Sequence, residues 1–289
     1  MNRVVLSICL VIGIGAFALP AAGAETQAPL PGVAEKAEKF ERLDGLMTLH
    51  LDRQRGRVFL ELPAAGDPDT GHLYLYVEGL VTGLGSNDVG LDRGQIGPAR
   101  LVGLRRVGGR VLVEEVNLGY RAISSDPEER RAVRESFARS VLWGGEIVAE
   151  DGDGRVLVDF TSFIVRDAHG SAKTLAMAKQ GKFELDSSRS AVEMGACLVF
   201  PENVELEALL TFHGERPGQY VRDTAPSPDW VTVVQHHSFL RLPDDDYRPR
   251  EHDPRAGSTS ISFADYSARL DEPIERRWIV RHRLQKTDP

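Results

Sequence analysis

The sequence predicts a mainly β, α+β protein: an antiparallel, sandwich-like, β-rich domain with one embedded amphipathic helix. Three observations carry this. Short runs alternate apolar and polar residues along most of the chain, as in Arg57 to Leu62 and Arg276 to Leu284. Turn-forming clusters such as Gly108-Gly109 and Asp151-Gly152-Asp153-Gly154 separate the runs. A single segment, following Ser125, repeats apolar residues at helical spacing.

The chain opens on a segment that reads as a signal peptide over 1–24. Arg3 gives a positive start, Val4 to Leu19 is apolar, and Ala22-Gly23-Ala24 is a small-residue cleavage pattern. The apolar run is short for a bilayer span and holds Gly13 and Gly15, so no stable membrane span is expected after cleavage. The protein is therefore expected to be exported, to the periplasm or beyond the cell. Residues 25–40 read as a mobile lead, with a short helix over Ala34 to Phe40. The β-rich domain is placed at 41–289, with a sub-boundary near 65–72.

Within it, Leu46 to Leu51 and Arg57 to Leu62 alternate around a polar turn and read as a hairpin. Leu73 to Val77 is a strand with its leucines and Val77 on one face and Tyr74 and Tyr76 on the other. The loop Thr82 to Gln95, TGLGSNDVGLDRGQ, follows. Ala99 to Val107 and Arg110 to Asn117 flank Gly108-Gly109, a two-residue hairpin signal. Ser125-Asp126-Pro127-Glu128 offers a capping side chain, a first-turn proline and early acids, and Val133, Phe137 and Val141 recur every four residues. A helix is predicted over Pro127 to Trp143. Strands are predicted around Ile147 and over Arg155 to Val165, Gly181 to Leu185, Ala191 to Phe200, Glu205 to Phe212, Trp230 to Leu242 and Arg276 to Leu284.

The composition narrows function. The 289 residues carry 35 basic against 43 acidic side chains, a net charge of −8 that becomes one unit more negative without Arg3. That argues against a nucleic-acid partner or an anionic membrane surface. The two cysteines are Cys9 and Cys197, and signal cleavage leaves one, so no internal disulfide is expected.

Ser86, Asn87, Asp88 and Asp92 form a candidate interaction loop. Their oxygens suit calcium by type. Their spacing matches no known calcium loop, and Asx residues among glycines form turns by bonding their own backbone. Gly83 and Gly85 do not complete a dinucleotide motif, because position 88 is Asp. Asp151 to Gly154 lacks the closing glutamate of a twelve-residue calcium loop and reads as a hairpin turn. His236 and His237 are strand neighbours that point to opposite faces and cannot easily share a metal. Cys197, in the apolar strand Ala196 to Val199, reads as a small buried hydrophobe. The sequence contains neither HExxH nor G-x-S-x-G. No catalytic, cofactor or metal residue is assigned.

From about Phe40 to Pro289 the chain resembles the N-terminal part of a family of large secreted bacterial zinc-dependent metalloproteases. The matching segments, in order, are TGLGSNDVGLDRGQ, PARLVGLRRVGGRVLVEE, SSDPEERRAVRESFARSVLWG, AEDGDGRVLVDFTSF, VTVVQHHSFLRLPDDDYRPR and LDEPIERRWIVRHRLQKTDP. That region is itself a domain of unknown function in the family, whose catalytic half carries HExxHxxGxxH on a metzincin-like fold. The resemblance implies zinc only in that other half. The zinc-binding histidines and the glutamate base have no counterpart here, and Pro289 falls about where the family's linker to the catalytic half begins. The expectation is an exported, non-catalytic domain, either a truncated or split product or one acting alone or with a partner. It would support, inhibit or present substrate to a protease domain in cis or in trans. The alternative is a stand-alone cell-envelope module binding peptide or glycan, with Trp143, Trp230, Trp278, Tyr74 and Tyr76 as stacking faces.

Overall fold

The computed structural model describes residues 29–64, 66–244 and 246–282. The signal peptide read at 1–24 lies outside the described residues. The described chain starts with helix α1 (Val33–Ala37) and strands β1 (Glu41–Leu43), β2 (Thr48–Asp52), β3 (Arg57–Leu62) and β4 (His72–Leu80). Strands β5 (Arg100–Val107), β6 (Arg110–Glu115) and β7 (Tyr120–Arg121) precede helix α2 (Pro127–Ser136). Then come β8 (Ser140–Glu150), β9 (Val156–Asp159), helices α3 (Thr161–Ile164) and α4 (Ser171–Met177), and β10 (Lys182–Leu185). The remainder is β11 (Ala191–Val192), β12 (Leu198–Val199), β13 (Asn203–Glu215), α5 (Gln219–Thr224), β14 (Trp230–Leu240), β15 (Ser260–Asp265) and β16 (Glu275–Ile279).

Thirteen strands form one sheet, ordered β1-β2-β3-β9-β8-β6-β5-β4-β14-β13-β10, with β11 and β12 also paired to β13. Its strand pairs are antiparallel, which confirms the mainly β, antiparallel class. The sheet curls until its ends nearly meet. The Leu46 N–H donates to the Phe200 carbonyl at 2.8 Å, and Arg53 Nη1 donates to the Met194 carbonyl at 2.8 Å. Gly45 permits this seam, because a Cβ there would lie 2.6 Å from the Phe200 oxygen. Register shifts in β8, opposite Val113/Glu114 of β6 and again between Ile147 and Ala149, supply local bends of the kind that close a sheet. The expected hairpins β2–β3 and β5–β6 are present, the latter with Val107 paired to Arg110 across Gly108-Gly109. A separate three-stranded sheet has the order β16-β15-β7.

The inner face is apolar at alternate positions: Val204, Leu206, Ala208, Leu210 and Phe212 of β13 are fully buried. The segment after β9 runs into this interior. Phe160 and Phe163 stack at 4.4 Å and meet Tyr76, Trp143 and Phe239. Part of the expected lead is packed against the domain: Val33 and Ala37 of α1 are buried with Phe59, Ala149 and Leu157. The strands on either side of 65–72, β3 and β4, belong to the same sheet.

Three expected elements differ. The helix predicted to Trp143 ends at Ser136, and Ser140 onward is strand β8. The side of strand β6 away from β5 offers a row of pairing groups to the β-branched and aromatic residues here, and Gly144-Gly145 disfavours helix. The strand predicted over Arg155 to Val165 stops at Asp159. The Asp159 carboxylate accepts from the Thr161 N–H (3.0 Å) and hydroxyl (2.6 Å), turning the chain into α3. The run Ala191 to Phe200 is two short strands around a turn of 3₁₀ helix at Met194–Ala196, which Cys197 caps.

Candidate functional site

The loop of 82–95 is bound to its own domain. Leu84, Val89 and Leu91 are buried in the main core. The Leu84 N–H donates to the Leu91 carbonyl (2.8 Å), folding the loop on itself. Gly83 sits where that fold is tightest: a Cβ there would be 2.3 Å from the Leu91 oxygen. Gly85, Gly90 and Gly94 adopt positive φ, which side-chain-bearing residues rarely do. The loop's ends are tied to β4 and β14 through Gly94 N–H to Leu80 carbonyl (2.7 Å) and Val234 N–H to the Thr82 hydroxyl (2.8 Å).

The four candidate residues do not converge. The Asn87 side chain accepts from the Val89 N–H (3.0 Å) and donates to the Leu84 carbonyl (3.3 Å). The Asp88 carboxylate accepts from the Tyr220 hydroxyl of α5 (3.1 Å). Asp92 uses its backbone N–H toward the Gln95 side chain (3.3 Å), and Ser86 is exposed. Among the described residues no group of three or more His, Cys, Asp or Glu side chains is arranged to hold a metal ion.

The inner face carries a chain of buried polar groups that the sequence showed only as scattered residues. Arg166, just after α3, donates through Nη2 to the Tyr76 hydroxyl (3.1 Å). The hydroxyl lies 2.8 Å from His237 Nδ1, and His237 Nε2 lies 2.9 Å from the Ile164 carbonyl. His237 Nε2 lies between the Ile164 carbonyl, which can only accept, and the Gln235 amide nitrogen (2.9 Å), which can only donate; a proton on Nε2 answers the carbonyl and leaves Nδ1 to accept from Tyr76. Burial, reinforced by the Arg166 charge, holds the His237 pKa down to about 3. Burial also pushes the Tyr76 hydroxyl far above its ordinary value. Gln235 completes the link by donating to the Arg166 carbonyl (2.9 Å) and accepting from the His169 N–H (2.9 Å). The group pins residues 164–169 across the sheet interior. It is closed to solvent at His237 and offers no substrate access there.

The His236/His237 alternation is as the sequence predicts. His236 points outward, with Nε2 2.6 Å from Glu205 and Nδ1 3.2 Å from Glu207. Cys197 is buried, and desolvation pushes its thiol up to about 11, so it is not a thiolate at neutral pH. The Asp151 to Gly154 segment is a turn closed by Asp151 N–H to the Arg155 carbonyl (2.9 Å). The aromatic residues named from sequence do not share a surface. Tyr76 and Trp143 pack on the core phenylalanines, Trp230 stacks on His213 at 4.2 Å, and Trp278 meets Phe263 at 4.6 Å.

Eight large exposed apolar residues fall around the three-stranded sheet. Leu118, Tyr120, Ile123, Ile261, Tyr266, Leu270, Ile274 and Val280 are all exposed, and all lie on the three-stranded sheet or the loops flanking it. Tyr120 stacks on Phe137 at 4.0 Å, with Tyr266 edge-on to Phe137 at 5.4 Å.

Residues 94–287 match the family model described as a domain of unknown function (DUF5117). The chain belongs to that family. The DUF5117 match begins inside the glycine-rich loop, at Gly94, and takes in β5 to β16, including the whole three-stranded sheet. Strands β1 to β4 lie before it. No curated protein and no solved structure matches the chain.

Proposed function

We propose that this chain is an exported, non-catalytic domain that works with the catalytic domain of a zinc-dependent metalloprotease, in cis or in trans. Its role is to support that domain, inhibit it or present substrate to it. The observation that carries the reading is the set of exposed apolar residues on β7, on β15 and in the loops flanking the small sheet. Apolar side chains gathered on and around one small sheet suit a protein partner better than solvent. The ordered segments that resemble the metalloprotease N-terminal region support the choice of partner. Zinc belongs to the partner's catalytic half, since this sequence contains no HExxH. The net charge of −8 fits a protein partner in the envelope or medium rather than nucleic acid.

The test titrates the purified protein into a purified catalytic domain of the resembling metalloproteases and follows association and casein hydrolysis. Saturable association is expected, with a changed hydrolysis rate. Tyr266→Glu and Ile274→Glu should weaken it by about tenfold or more, as charges in an apolar contact do. The protein alone should hold no stoichiometric zinc and hydrolyse no casein; stoichiometric zinc with turnover would overturn the non-catalytic reading. A stand-alone module for envelope peptide or glycan is the second reading. It is favoured by the stacked Tyr120, Phe137 and Tyr266, two of them exposed.

A further inference from the structure

Helix α2 presents Val133 and the following Phe137 on one side, yet it buries no residue. This stripe lines a groove of about 280 Å³ shared with residues of the β5–β6 hairpin and with Val116. That volume is close to the lower end for small-ligand pockets, roughly 300 Å³, and fits one ring with a short chain.

The polar groups of the groove show which ligand it suits. Its three carboxylates already have arginine partners. Arg134 holds Asp69 at 2.9 Å, Arg105 holds Glu114 at 2.7 Å, and Arg100 holds Glu115 at 3.7 Å. The unsatisfied group is a donor. Arg134 gives Asp69 only Nη2, and its Nε is buried without a hydrogen-bond partner among the described residues. Arg130 and Arg139 also line the groove. An occupant must therefore bring an acceptor, and a carboxylate suits the unused half of a guanidinium edge.

We propose that this groove binds a small aryl or short-chain carboxylic acid. The apolar body lies against Val116, Val133 and Phe137, and the carboxylate shares the Arg134 guanidinium with Asp69. Because the Arg134 Nε is sealed from solvent, the guanidinium turns toward the groove when the carboxylate binds. The groove shares Leu118 and Tyr120 with the apolar surface of the proposed protease contact, but binding here needs no second protein.

Calorimetric titration of the full chain with 4-phenylbutyrate tests it, with 4-phenylbutan-1-ol as the uncharged control. The acid should bind saturably and about tenfold tighter than the alcohol, the margin of one charge-assisted hydrogen bond. Arg134→Gln should bring the acid down to the alcohol. Asp69→Asn should tighten acid binding by freeing the shared edge, and Val133→Trp should abolish binding of both ligands. Circular dichroism melting confirms that each variant is folded. If Arg134→Gln does not fold, the Asp69→Asn and alcohol comparisons decide. No saturable acid binding, equal affinity for acid and alcohol, or an acid affinity unchanged by Val133→Trp would each overturn the proposal.

Discussion

A second proton on His237 would remove the acceptor of the buried Tyr76 hydroxyl and place a cation beside Arg166. Folding therefore holds this imidazole neutral, with a pKa of about 3 against 6.5 when free. The sign follows directly: the contribution is fully present above pH 6.5 and is lost as pH falls toward 3, because only the unfolded chain takes up the proton there. The loss approaches about 1.4 kcal/mol per pH unit for one group. Urea unfolding of the parent protein and His237→Gln at pH steps between these limits should show the steeper decline in the parent. Equal slopes would mean that His237 is not buried neutral. The parity of β14 makes His237 and His236 opposite in face from sequence alone. The partners of His237 beyond its own strand are Tyr76 and the Ile164 carbonyl, with Arg166 behind Tyr76, and no local pattern connects these.

At the level of elements, the glycine-rich loop shows how far local chemistry reaches. Its glycines and Asx residues mark turns, and the turns are there. What fixes the loop is its apolar minority: Leu84, Val89 and Leu91 enter the core. Leu91→Ala is expected to cost about 2–5 kcal/mol in urea denaturation, while Ser86→Ala stays within roughly 0.5 kcal/mol. If both changes prove neutral, the loop is not held by its own domain. Helix α2 shows the opposite limit. Its start was legible: the Asp126 carboxylate accepts from the Glu128 N–H at 2.8 Å and Pro127 occupies the first turn. Its end was not, because Val141 fits a helical stripe and a strand equally well, and the pairing edge of β6 selects the strand.

On the scale of the whole molecule, closure of the large sheet rests on one narrow seam. Gly45 approaches the Phe200 backbone too closely for any side chain. Gly45→Val should separate the ends of the sheet and cost about 1–3 kcal/mol, the range for overpacking a tight contact. Thermal unfolding reads this as a lowered midpoint; an unchanged midpoint would show that the seam carries no stability. The seam, the pinned segment of 164–169 and the small sheet divide the molecule by role. The first two hold the barrel-like body together, and the third leaves its apolar side chains uncovered.

Sequence alone carries the mainly β antiparallel class, the two hairpins, the capped start of α2 and the placement of His236 and His237 on opposite faces. Each of these depends on residues within a few positions of one another, where strand alternation, turn chemistry and capping act. Only the tertiary structure decided that one sheet curls onto itself, that Tyr74 and Tyr76 rather than Leu73, Leu75 and Val77 form the more deeply buried side of β4, and that α3 and α4 follow β9. It also brought β7 and its uncovered Tyr120 beside β15, from segments about 140 residues apart. Such placements depend on which distant edges and faces compete for each other. That competition is settled by burial and pairing across the fold, where local pattern carries no information.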